Sequence, residues 1–139
     1  MSDKNKGIFW LLAAIFIAQS IFGFSSQTSH ESSSLSLQFA KWFVPFMELD
    51  TAQFMIRKLA HFTIYTSLSF SVFRSMSFLF PEKKHLWLFC ILFVIAYACL
   101  DEFHQLFVNG RSGEFRDVFI DSCGGFLGIG LNLWLKKLF

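Results

Sequence analysis

Residues 86–108 read LWLFCILFVIAYACLDEFHQLFV, and the way this stretch ends decides the fold. It is apolar without a break from Leu86 to Leu100. A helix needs about 20 residues to cross the hydrocarbon core of a bilayer, so a run stopping at Leu100 is too short. The span must continue through Asp101, Glu102, His104 and Gln105 to about Val108. Acids then sit at the edge of the hydrocarbon, where ionisable groups are costly and mark a functional site by default.

Composition makes the same case for the whole chain. Of 139 residues, 54% are hydrophobic, 21 are Phe and only 16% are charged. A soluble domain carries about 25% charged residues. The excess apolar surface calls for a second apolar solvent, the bilayer. A disordered chain, a coiled coil and a basic nucleic-acid module are excluded, so no nucleic-acid partner is expected. The length suits a single domain, residues 1–139. The fold class expected is all-α: an integral membrane bundle of four transmembrane helices, with a short interfacial amphipathic helix between the first and second.

Working outward, the other spans are expected at about 7–24, 59–80 and 118–135. The first follows Lys4 and Lys6 but exceeds the ~7–15 residues of a signal-peptide core, and no A-x-A-like cleavage site follows it, so it reads as an uncleaved helix. Residues 25–57 form the one long, extracytoplasmic connection. It opens with a polar, turn-rich stretch, 25–34. Leu35, Phe39, Trp42, Phe43 and Phe46 then recur at helical spacing, which predicts the interfacial helix, ending near Pro45. Residues 81–85 and 109–113 are turns, the second marked by Asn109-Gly110. Cys90, Cys99 and Cys123 lie in apolar runs without CxxC spacing, as buried apolar residues rather than a disulfide or zinc site. Lys4, Lys6, Lys83, Lys84, Lys136 and Lys137 fall on one side with Arg74 near it, against Lys41, Arg57, Lys58, Arg111 and Arg116 on the other. That bias puts both termini in the cytoplasm of a multi-pass protein.

Antiparallel spans then bring three helix ends to one side. Lys58, His61 and Tyr65 share a face at the start of the second span. Asp101, Glu102 and Gln105 end the third, and Asp117 and Asp121 begin the fourth. With Arg111 from the turn, these nine residues form the candidate ligand-binding or functional cluster. Gly124 and Gly128 make a GxxxG pair, with Gly125 beside it, for close helix packing.

Those same residues carry a resemblance. Lys58-x-x-His61-x-x-x-Tyr65, then Asp101-Glu102-x-x-Gln105, Arg111, Arg116-Asp117-Val118, Asp121 and Gly124-Gly125 resemble the VanZ-like family, as do the Phe24-Ser25-Ser26-Gln27 and Glu31-Ser32-Ser33-Ser34 stretches. The likeness runs from about Phe24 to Gly130. That family often has Asn where this chain has Asp121, so the site here gains a negative charge. The resemblance implies a small bacterial membrane protein of the cell envelope, in a family whose namesake is associated with teicoplanin resistance. It supplies no mechanism.

Several chemistries remain open for the cluster. Lys58, Arg111 and Arg116 face five acids (Asp101, Glu102, Glu114, Asp117 and Asp121), a balance that favours a cation, an ammonium head group or shared protons over a bare phosphate. Buried pairs of Lys58 and Arg111 with Asp101 and Glu102 would set helix register. His61, His104, Asp101 and Glu102 are plausible metal ligands. However, a dimetal site wants paired E-x-x-H motifs, so no metal or cofactor is expected. A carboxylate beside His61 and Lys58 could serve a membrane enzyme acting on a lipid-linked substrate, although no motif names a reaction. The favoured reading is binding of an amphiphile at the polar niche, rimmed by Phe103, Phe107, Phe115 and Phe119. The amphiphile would be a membrane lipid, a cell-wall precursor or a glycopeptide with a lipid tail.

Overall fold

The computed structural model describes residues 1–43 and 46–138. Among these, the chain forms five helices and no strand: α1 (Asp3–Ser25), α2 (Ser29–Phe43), α3 (Leu49–Leu79), α4 (Leu86–Gln105) and α5 (Phe115–Leu138). Pro45, where the interfacial helix was expected to end, lies outside the described residues.

Among the described residues three helices, not the expected four, are long and apolar enough to cross a membrane: Asp3–Ser25, Leu86–Gln105 and Phe115–Leu135. The second expected span falls within α3, which has ample length at 31 residues. Its hydropathy is lowered by His61, Arg74 and a run of hydroxyls, among them Ser67, Ser69, Ser71, Ser75 and Ser77. Packing accounts for part of that run, while the exposed Ser67 donates its hydroxyl to the Thr63 carbonyl of its own helix at 3.0 Å. α3 is the central helix, touching α1, α2, α4 and α5. Ser69, Ser71 and Ser75 are buried on it, and the Ser75 hydroxyl donates to the Gly7 carbonyl of α1 at 2.9 Å. A helix covered by other helices needs no apolar surface of its own.

The outer surface is the reverse. Phe9, Leu12 and Phe16 on α1, Phe89 and Leu92 on α4, and Phe126 and Trp134 on α5 are exposed. Meanwhile Asp101, Glu102, Gln105, Asp121 and Asn132 are buried. Polar groups inside and large apolar groups outside is the pattern of a protein solvated by lipid.

The helices run in a fixed sense. Gly7 packs on Leu79 and Phe78, so α1 and α3 are antiparallel. The Tyr97 hydroxyl donates to the Ala18 carbonyl at 2.7 Å and His104 stacks on Phe22, so α1 and α4 are parallel. α3 and α5 are also parallel: Gly124 meets Phe62, Gly128 meets Thr66 and Ser69, and the Asn132 amide donates to the Phe70 carbonyl at 2.9 Å. Gly125 turns the other way, onto Val94 and Ile91 of α4. The three glycines expected at helix contacts therefore serve two contacts.

The 25–34 stretch is a helix start rather than a loop. The Thr28 N–H and hydroxyl donate to the Glu31 carboxylate at 2.9 and 2.8 Å, and the Glu31 N–H reaches back to the Thr28 hydroxyl at 3.4 Å. This capping box satisfies otherwise orphaned donors and starts α2 at Ser29. The serines that read as turn formers are carried inside that helix. The Thr28 backbone donor, followed by its hydroxyl, holds the Glu31 carboxyl below its ordinary pKa. A depressed carboxylate adds stability above its unfolded pKa and loses it as pH falls through the folded one. The protection of the first-turn amides of α2, with exchange corrected for its intrinsic pH dependence, should therefore fall as pH drops through the acid range. Glu31→Gln should remove that pH dependence, and an unchanged pH profile in this variant would discount the cap.

Candidate functional site

α3 and α5 meet in a ladder of polar rungs. The first is an ion pair between Lys58 and Asp117, both largely buried. One turn further in, His61 Nδ1 lies 3.4 Å from Asp121 Oδ1 and 3.5 Å from Oδ2. The glycine contacts and Asn132 continue the series. Parallel helices with matched i, i+3 and i, i+4 spacing produce such rungs directly.

α4 supplies the third wall. The Gln105 amide donates to Glu102 Oε1 at 3.2 Å and reaches Asp101 Oδ2 at 3.5 Å. Glu102 Oε2 accepts the Glu114 backbone N–H at 2.8 Å, which ties the end of α4 to the start of α5. Ser25 of α1 sits beside Asp101. One ligand atom from each of His61, Asp101, Glu102 and Asp121 lies within 4.8 Å of all the others. The Tyr65 hydroxyl is buried next to the same group, its strongest charged neighbours being Asp101 and Asp121.

The expected pairing of Lys58 and Arg111 with Asp101 and Glu102 is not what forms. Lys58 goes to Asp117. Arg111 turns toward the α1–α2 elbow, donating to the Gln27 and Phe24 carbonyls, each at 3.1 Å. A guanidinium with five donors suits such a carbonyl clamp. Burial, and then the charge of Arg57, lowers the pKa of Arg111 from its ordinary value. The charge count over the whole cluster is thus split in space. Asp101, Glu102 and Asp121 form an acidic lobe, while Arg57 and Arg111 form a basic one.

Two cavities meet at the basic lobe. One, of about 240 Å³, is walled by Ile21, Phe24, Leu35, Phe39, Ile56 and Ile64 and reaches Arg57, His61 and Arg111. The other, of about 160 Å³, is polar, with Lys58, Gln105, Ser112 and Asp117 on its walls and the same Arg57, His61 and Arg111. The four phenylalanines expected to rim the niche line neither. Phe103, Phe107, Phe115 and Phe119 face outward, all more than half exposed. Their helical positions point away from the α3 contact, and the apolar wall comes from α1, α2 and α3 instead.

All nine candidate residues therefore sit in one neighbourhood, with the Lys58–Asp117 pair beside the acidic and basic lobes. His104, weighed as a metal ligand, is elsewhere: its Nε2 is 3.1 Å from the Ser26 hydroxyl. Arg57 belongs to the site although its charge alone had drawn notice. It lies four residues before His61, on the same helical face, and that spacing was the available signal. Asn132 was missed because a lone Asn inside an apolar run carries no motif.

A family model described as VanZ/LLP1 matches residues 9–136. No curated protein and no solved structure matches the chain.

Proposed function

The chain belongs to the VanZ/LLP1 family, and from that premise we propose that it is an integral membrane protein binding a cell-envelope amphiphile with an anionic head group. The observation that carries this is the junction of the two cavities. An apolar cavity of about 240 Å³ and a polar one of about 160 Å³ adjoin, with Arg57, His61 and Arg111 in the lining of both. Among the described residues no carboxylate lies within ion-pair distance of Arg57. Two neighbouring guanidinium groups beside an apolar slot suit a phosphate or carboxylate head carried on an acyl or prenyl chain. A membrane lipid, a lipid-linked cell-wall precursor and a glycopeptide with a lipid tail all fall in this class. Through the last of these, the chain would contribute to teicoplanin resistance.

In this reading α3 traverses the bilayer with α1, α4 and α5, its buried serines shielded by their packing and the exposed Thr63 and Ser67 bonded to carbonyls of their own helix. The end holding Lys4, Lys6, Lys83 and Lys84 is cytoplasmic by the positive-inside rule, and the cluster faces outward.

Native mass spectrometry of the full chain with phosphatidylglycerol and phosphatidylcholine tests the proposal. Phosphatidylglycerol should be retained preferentially. Arg57→Gln should weaken its binding about tenfold, as expected for one hydrogen bond to a charged group. Equal retention of the two lipids, or an unaffected Arg57→Gln, would sink it. Conversion of a lipid-linked substrate to product would move the chain to the enzyme class.

A further inference from the structure

We infer that His61, Asp101, Glu102 and Asp121 form a binding site for one divalent first-row transition-metal ion. The inference is independent of amphiphile binding: it concerns the acidic lobe, and His61 is the one residue it shares with the arginine-lined wall.

Three observations carry it. The first is the convergence of four ligand atoms within 4.8 Å of one another, from three different helices. Ligand atoms about 2.1 Å from an ion stand about 3.4 Å apart in a tetrahedron and about 4.2 Å apart across an octahedron. Closing the cluster onto an ion takes shifts of an ångström or less. His61 Nδ1 is already 3.4 Å from Asp121 Oδ1. That is long for a hydrogen bond, and it is the edge length expected of two ligands sharing one ion.

The second observation is charge. Asp101, Glu102 and Asp121 are buried, with Asp121 at 0% exposure. Among the described residues none of the nearby lysines and arginines pairs with them: Lys58 goes to Asp117, Arg111 donates to backbone carbonyls, and Arg57 makes no ion pair. Three carboxylates sharing a buried site with one imidazole lack a counter-charge, and a divalent ion supplies it in a single step.

The third is unmet polarity at the centre of the group. Asp121 Oδ1 and the Tyr65 hydroxyl are both buried with no hydrogen-bond partner. Tyr65 is fully buried, and its strongest charged neighbours are the carboxylates themselves. An ion in the cluster would take Asp121 Oδ1 as a ligand. A carboxylate oxygen or bound water would then accept from Tyr65, as an outer-shell partner that orients a ligand. One imidazole with three carboxylates is a donor set for manganese, iron or zinc, since all-oxygen sites suit magnesium and calcium.

Manganese binding to the full chain tests this. The chain is purified in detergent with His30, His85 and His104 replaced by Gln, stripped with chelator and titrated with Mn2+ alone. Electron paramagnetic resonance should show one ion bound per chain, carrying nitrogen modulation from the one remaining imidazole, His61. Asp121→Asn and Asp101→Asn should each weaken binding by about 100-fold or more, beyond the loss typical of an outer-shell change. Zn2+ should displace the bound Mn2+. Absence of saturable binding, a bound ion without nitrogen modulation, or undiminished binding in both carboxamide variants would overturn the inference. The modulation is read on a chain with the cluster intact, so the test holds even where a carboxamide variant does not fold.

Discussion

Gly128→Val should destabilise the bundle by about 3 kcal/mol, the upper end of the cost of overpacking. A Cβ at this position would fall on the Thr66 carbonyl and the Ser69 hydroxyl, and would come within 2.9 Å of the Phe70 backbone nitrogen. Two of these three obstacles are main chain, which no rotamer change can clear. The helices would have to part, taking the Asn132–Phe70 bond with them. Gly130→Ala is the matched control, because nothing lies within 4 Å of its added Cβ. Denaturant unfolding in detergent, followed by circular dichroism, compares the two. Gly130→Ala should stay within about 0.5 kcal/mol of the parent. A Gly128→Val protein equally close to the parent would refute close α3–α5 packing.

The second large effect is expected at the outermost rung. Lys58→Met strands a largely buried Asp117, and Asp117→Asn strands Lys58. Breaking a fully buried pair costs about 3–5 kcal/mol. Here the side chains retain 19% and 13% exposure, so about 2 kcal/mol is expected for either change once screening is allowed for. Phe54, 5.1 Å from the Lys58 ammonium, gives the lysine a partial refuge and makes Asp117→Asn the milder variant. The double variant Lys58→Met/Asp117→Asn should lose clearly less than the sum of the two single losses. A double-mutant cycle measures this as a coupling above about 1 kcal/mol. Additive losses would mean that the two residues stabilise the protein independently.

The legibility of this chain in its sequence was uneven, for physical reasons. Three of the helices announce themselves through long, mostly apolar runs. The helical character of 59–80 was legible too, but its hydroxyls belong to contacts with α1 and α5, which hydropathy cannot anticipate. The cluster was legible because antiparallel connections leave few ways to arrange three polar helix ends. Its internal pairing was not. Whether Lys58 meets Asp117 or Asp101 depends on helix rotation and a few ångströms of register, and four carboxylates offered equivalent partners. Arg111 was assigned by charge, whereas its donors found main-chain carbonyls at the α1–α2 elbow. The Thr28-x-x-Glu31 box was readable and was obscured by the serines around it, whose turn propensity gives way once a capped helix nucleates.

The parallel alignment of α3 and α5 has a consequence for biogenesis. Neighbouring helices in a chain can pair as hairpins while synthesis continues, but two parallel helices require the intervening one to cross back first. Lys58 and the glycine-receiving face of α3 therefore wait for their α5 partners until the last helix has been made. A nascent chain halted before Phe115 would present those polar groups to lipid.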